Sequence, residues 1–187
     1  MASSLEQLEA RHPVTVRWRA FELRPAGTPI SPDYRARIEE SRPRLYAIAR
    51  EQYGLEMNPG PFGIDSRPAL IGHKYAESQG KGAAYHDRVM RAYWQEAQDI
   101  GQPDVLTELA REVGLDATAF LQALTDPVYQ QAVDEDIAQA QAYGLTAVPA
   151  LVFAEKYLVS GAQPLYLLEK VVRHVAAELA AEESGPS

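Results

Sequence analysis

The stretch Leu145-Thr-Ala-Val-Pro-Ala-Leu-Val-Phe153, followed almost at once by Tyr157-Leu-Val-Ser-Gly-Ala-Gln-Pro164, admits few folds. Val148 to Phe153 is an unbroken apolar run, the pattern of a strand covered on both faces, and Ala154-Glu155-Lys156 is short enough to turn the chain straight back. Pro149 has no amide proton to give a ladder, so it belongs at the first position of a strand or on an edge. Gly161 ends the return strand, and Pro164 suits the first turn of a helix. That helix carries Leu165, Leu168, Val172, Val175 and Leu179 on one stripe, which directs it back onto the hairpin. The result is a β-β-α unit.

Upstream, Ser3 or Ser4 caps a short helix through Leu5, Leu8 and Glu9 that His12-Pro13 stops. Val14, Val16, Trp18 and Ala20 then alternate with Thr15, Arg17 and Arg19, as in a half-exposed strand to about Phe21. Three prolines and a glycine make Arg24 to Pro32 a loop. Everything from Ser31 to Gly144 reads as helical. Ser31-Pro32 starts one short helix and Ser41 caps another that runs to Gly54; Asn58 to Gly63 is a loop. Ser66, Gly82, Gln102, Asp116 and Asp126-Pro127 open the helices that follow, which stop near Gly80, Ala97, Gly114, Leu124 and Gly144.

At 187 residues one well-buried core is the expectation, with no internal repeat. The 18 basic and 26 acidic residues leave a net charge of −8, which repels phosphate backbones and anionic lipid heads, so nucleic acid and membrane are excluded as partners. No run approaches the roughly 20 apolar residues of a membrane span, and the first residues hold no apolar leader, which points to a soluble, cytoplasmic protein. There is no cysteine, so disulfides, zinc thiolates and a thiol nucleophile are ruled out.

In order, the pattern is helix, strand, helical stretch, strand, strand, helix. Together with Trp18-Arg-Ala-Phe-Glu-Leu-Arg-Pro25, Ala92-Tyr-Trp94, Asp99-Ile100, Leu145-Thr-Ala-Val-Pro149 and Val159-Ser-Gly-Ala-Gln-Pro164, it resembles the DsbA family of thiol–disulfide oxidoreductases, most closely its FrnE-like branch. The resemblance spans Leu5 to about Leu179. It implies an α/β fold: a thioredoxin-like sheet, incomplete because its first strand is absent, with a large all-helical insertion. Residues 1–25 and 145–182 form the thioredoxin-like part, 31–144 the insertion, and 183–187 a frayed tail. It implies further that the bond before Pro149 is cis, and that Ala147, Val148 and Pro149 form a shelf facing a peptide or protein substrate, beside a groove between insertion and sheet.

In that family the chemistry belongs to a Cys-Pro-x-Cys motif at the N-terminus of the first helix, where free amides stabilise a thiolate. Met1-Ala-Ser-Ser-Leu-Glu-Gln-Leu8 aligns with a later part of that helix, so the motif is missing and the chain is expected to be redox-inactive. Three explanations stand: a truncated oxidoreductase, a natural peptide-binding relative without a redox site, or a relative of the kappa-class glutathione transferases and hydroxychromene-carboxylate isomerases. The last use a serine, for which Ser3 and Ser4 are the candidates by location. Without a central first strand, residues 14–21 and 148–153 should either pair with one another or be completed by a second subunit, giving a homo-oligomer.

His12, His73, His86 and His174 show no three- or four-residue spacing, so no metal site is expected, nor any cofactor. His73 beside Lys74 reads as a partly exposed helix residue, and Asp134-Glu-Asp136 as a solvated face. Arg17 and Arg19 read as charges that discourage edge-to-edge association. Gly60-Pro-Phe-Gly63 lacks the flanking strand and Lys-Ser or Lys-Thr of a phosphate loop.

Overall fold

The computed structural model describes residues 2–25 and 27–183. Helices α1 (Ala2–Arg11), α2 (Pro32–Tyr53), α3 (Arg67–Ser78), α4 (Gly82–Trp94), α5 (Pro103–Glu112), α6 (Ala117–Ala123) and α7 (Pro127–Ala142) precede strands β1 (Ala150–Phe153) and β2 (Tyr157–Ser160), and α8 (Leu165–Glu183) closes the order. The chain divides into two compact units, Met1–Leu23 with Gln139–Ser187, and Arg24–Ala138.

In the first unit β1 and β2 pair antiparallel with Leu151 opposite Val159 and Phe153 opposite Tyr157, so the hairpin forms where the apolar run and its turn place it. The Gly161 amide donates to the Pro149 carbonyl at 2.8 Å, carrying the pairing one step past the assigned strands. Leu5 and Leu8 of α1 and Leu168 and Val172 of α8 make the core of this unit, with Leu151, Phe153, Val159, Leu165, Val14, Val16 and Trp18 packed around it. The expectation of a strand covered on both faces is corrected. Leu151 and Phe153 turn inward, whereas the Val152–Leu158 cross-strand pair is exposed at 36 and 46 %. The α8 stripe ends at Val175, since Leu179 is exposed.

The segment from Val14 to Ala20 keeps its alternation, with Thr15, Arg17 and Arg19 outward and Val14, Val16 and Trp18 half-buried. It is no strand of the sheet, which among the described residues holds β1 and β2 alone. Direct pairing of residues 14–21 with β1 is therefore not observed. A local reason is that the Val16 amide donates to Glu9 Oε1 at 2.6 Å, a side-chain acceptor in place of a ladder carbonyl. Helix α1 already runs at Ala2, so Ser4 lies within it and caps nothing, and the side chain of Ser3 lies outside the described residues. At the other end α8 runs to Glu183, and residues 184–187 lie outside the described residues.

Among the described residues the regular structure of the second unit is all helical. Ser31 Oγ accepts from the Tyr34 amide, Pro32 occupies the first turn, and Gly54 at φ 65° ends α2. One 22-residue helix thus replaces the two expected: Ser41 caps nothing, its hydroxyl donating instead to the Ile38 carbonyl one turn back, and Pro43 is carried inside the helix. Helices α3 to α6 pack on one another around Ile71, Tyr75, Tyr85, Val89, Leu106, Leu109 and Phe120. Gly72 allows a close approach between helices, since a Cβ there would stand 2.5 Å from Tyr85 Oη and 2.6 Å from Phe120 Cζ. Tyr85 and Val89 bring α4 into this core. Asp116 caps α6 through the Ala119 amide, and Asp126 accepts from Val128 at the start of α7.

Candidate functional site

Ala147, Val148 and Pro149 lie together on the exposed approach to β1, Val148 with 52 % of its surface open. The Val148–Pro149 peptide bond is cis. The Pro149 carbonyl is occupied by Gly161, but among the described residues neither Ala147 nor Val148 gives or accepts a backbone hydrogen bond. Ala147 and Val148 therefore present an apolar side chain and free main-chain groups side by side. That combination suits an extended polypeptide, which binds through main-chain pairing and reads side chains at alternate positions.

Further along the same hairpin, Tyr157, Leu158, Val159, Lys170, Val171 and His174 line a hollow of about 390 Å³ between β2 and α8. Tyr157 packs edge-on to His174 at 5.6 Å, and its hydroxyl donates to Glu178, which raises the Tyr157 pKa and lowers that of Glu178. Nothing in the alternation of β2 marked this hollow, because its wall is shared with α8.

In the helical unit two expectations are corrected. His73 and Lys74 are buried, each 9 % exposed, and Asp136 is 4 % exposed rather than solvated. Lys74 Nζ stands 2.6 Å from Asp136 Oδ2 and 3.2 Å from Glu77 Oε2. His73 Nε2 lies 3.6 Å from Glu77 Oε1, and among the described residues neither ring nitrogen finds a hydrogen-bond partner. Its ring meets that of His86 edge-on at 5.9 Å. Burial pushes the His73 pKa down, opposed by Glu77 and Asp136 and helped by Lys74; His86 is lowered likewise by burial and then by His73. The signal available in the sequence was position: Lys74 follows Leu70 and Ile71 on the α3 stripe, and Asp136 stands one turn from Val133 on α7. Asp134 does stay near the surface, paired with Arg67 at 2.5 Å. Among the described residues no group of three or more His, Cys, Asp or Glu is arranged to hold a metal, and no helix is long and apolar enough to cross a membrane.

A model of the DSBA-like thioredoxin domain matches residues 1–173. The chain belongs to that family. A Bacillus subtilis protein, YwbO, itself described as uncharacterized, is 32 % identical over 169 residues, which cover 85 % of this chain and 81 % of that one. The solved probable DsbA oxidoreductase SCO1869 of Streptomyces coelicolor is 25 % identical, with a TM-score of 0.80 over 95 % of this chain and 83 % of that one. A 2-hydroxychromene-2-carboxylate isomerase has the same fold, with a TM-score of 0.76 at 22 % identity over 97 % of this chain and 90 % of the isomerase. The fold is thus the DsbA-like thioredoxin fold with a helical insertion. Within this family member the shelf comes from the hairpin half of the thioredoxin-like part, and the buried charges from the insertion.

Proposed function

We propose that this chain is a FrnE-like member of the DsbA-like family that binds an extended peptide or protein segment on the shelf Ala147, Val148 and Pro149, without dithiol chemistry of its own. The observation that carries the reading is the exposed, unpaired main chain at Ala147 and Val148 beside an exposed valine side chain. Among the described residues β1 has β2 on one side only, so its other edge continues that line of acceptors and donors and offers the same pairing to a second copy. With no cysteine among its 187 residues, the chain has no thiol to attack a disulfide.

Fluorescein-labelled, carboxymethylated insulin B chain tests the reading. Its binding is expected to saturate and to weaken by about tenfold in Val148→Asp, the loss of one well-placed contact. The same protein is expected to give no insulin reduction above the glutathione background. Undiminished binding by Val148→Asp, or catalysed reduction, would reject it. The likeness of fold to the isomerase favours a second reading, a glutathione-using enzyme of that type with Ser4 or Ser3 as its hydroxyl. Saturable glutathione binding by calorimetry, lost in Ser4→Ala or Ser3→Ala, would replace the first reading with this one.

A further inference from the structure

Within the helical unit, Tyr34 of α2 and Phe62 of the loop after α2 are stacked, their ring centres 6.4 Å apart and their planes at 30°. Arg24 and Arg37 place their guanidinium carbons 4.8 and 5.9 Å from the centre of Tyr34, and Arg35 and Arg42 place theirs 4.9 and 5.5 Å from the centre of Phe62. Four positive charges thus converge on one pair of rings in a chain whose net charge is −8.

Arg11, Arg67, Arg88, Arg91 and Arg111 each hold a carboxylate. Among the described residues none of the four clustered arginines does. Glu39 stands four residues after Arg35 and Asp33 four before Arg37, a spacing that favours pairing on a helix, and still no pair forms. Like charges gathered without counterions repel one another. What holds them is stacking, which orders the planar guanidinium while leaving its N–H forks free for an oxyanion.

The chemistry of the missing counterion follows from what the cluster leaves open. The forks match carboxylate and phosphate alike, and several of them spread over two rings suit a row of anions rather than one. Bases would need a bare ring face to stack on, but these faces are covered by guanidinium groups. We propose that Arg24, Arg35, Arg37 and Arg42 form a docking surface for an acidic polypeptide segment, a short run of Asp or Glu carboxylates taken by the guanidinium forks. This is independent of the shelf, which lies in the other unit.

The experiment is a titration of the full chain with hexaglutamate, hexaglutamine and a thymidine hexanucleotide at low and physiological salt. Hexaglutamate is expected to bind, to weaken by about tenfold as salt rises, and to exceed hexaglutamine by at least about tenfold. Arg35→Gln with Arg42→Gln is expected to reduce its affinity by about tenfold or more, with the helical circular dichroism unchanged. Should that variant unfold, Arg24→Gln with Arg37→Gln reads the other ring in the same way. Absence of saturation by hexaglutamate up to about 1 mM, equal affinity for hexaglutamine, tighter binding of the oligonucleotide, or wild-type affinity in the folded variants would each overturn the proposal.

Discussion

Lys74 and Lys156 hold a carboxylate oxygen at nearly the same distance, 2.6 Å to Asp136 in the helical unit and 2.5 Å to Glu182 beside the hairpin. Their surroundings differ. The side chains of the first pair are 9 and 4 % exposed, those of the second 44 and 53 %. In water the attraction of the second pair is screened and costs side-chain freedom, so geometry alone says little about its worth. In the interior, each partner makes the other tolerable, because a lone charge there has neither water nor counterion.

The sharpest way to break this contrast is to remove one partner from each pair. Asp136→Ala is expected to cost up to about 3 to 5 kcal/mol, most of it the penalty of leaving Lys74 buried with only the partly exposed Glu77 as counterion. Urea unfolding measures it. Lys74→Met combined with Asp136→Leu should recover most of the loss, because the defect is an unpaired charge rather than a missing attraction. Glu182→Ala should leave the unfolding curve where it was. A loss at Glu182 comparable to that at Asp136 would show that burial is not what separates the two.

Acid sharpens the same contrast, because His73, next to Lys74 in the chain, is buried and meets the ring of half-buried His86. The folded-state pKa values of His73 and His86 are both below the ordinary value, chiefly through burial. The folded protein therefore takes up these protons less readily than the unfolded chain, whose histidines titrate near about 6.5. The stability tied to the neutral rings is fully present above that value and declines as pH falls through it toward the lower folded-state values. Urea unfolding between about pH 7.5 and 5.5 should show the decline, and His73→Gln should flatten it.

Features fixed by local chemistry were legible before any coordinates. Pro149 without an amide proton, Gly161 at φ 78° and Pro164 bracket β1, β2 and α8 through requirements of their own residues. Ala147 to Pro149, singled out by resemblance, are exposed. Features that depend on a distant partner were not legible. The alternation from Val14 to Ala20 announced one buried face but not whether a ladder would form. The hydroxyl of Ser41 suggested a cap, yet its bond to Ile38 lies within a continuing helix. Asp136 looked solvated because nothing near it in the sequence names Lys74 as its partner, and the arginines around Tyr34 and Phe62 are brought together only by the stacking of a helix residue on a loop residue.

The smallest effect tests the hairpin turn, where the backbone departs from what its residues prefer. Ala154 and Glu155 take φ of 47° and 58°, and Lys156 N donates to the Phe153 carbonyl at 3.0 Å, so both central positions are left-handed, as a turn matched to strand twist requires. Asparagine or glycine usually fills such sites, because a Cβ crowds the carbonyl there. Glu155→Gly should relieve this and stabilise the protein by about 0.5 to 1 kcal/mol, less the entropy that glycine adds to the unfolded chain. Ala154→Asn should act in the same direction with less entropic loss. A raised melting temperature in both variants is the expected result. A fall in both would mean that the register of β1 against β2 rests on this turn as it stands, and that the hairpin unit, like the helical one, hides its most costly arrangement where the sequence looks ordinary.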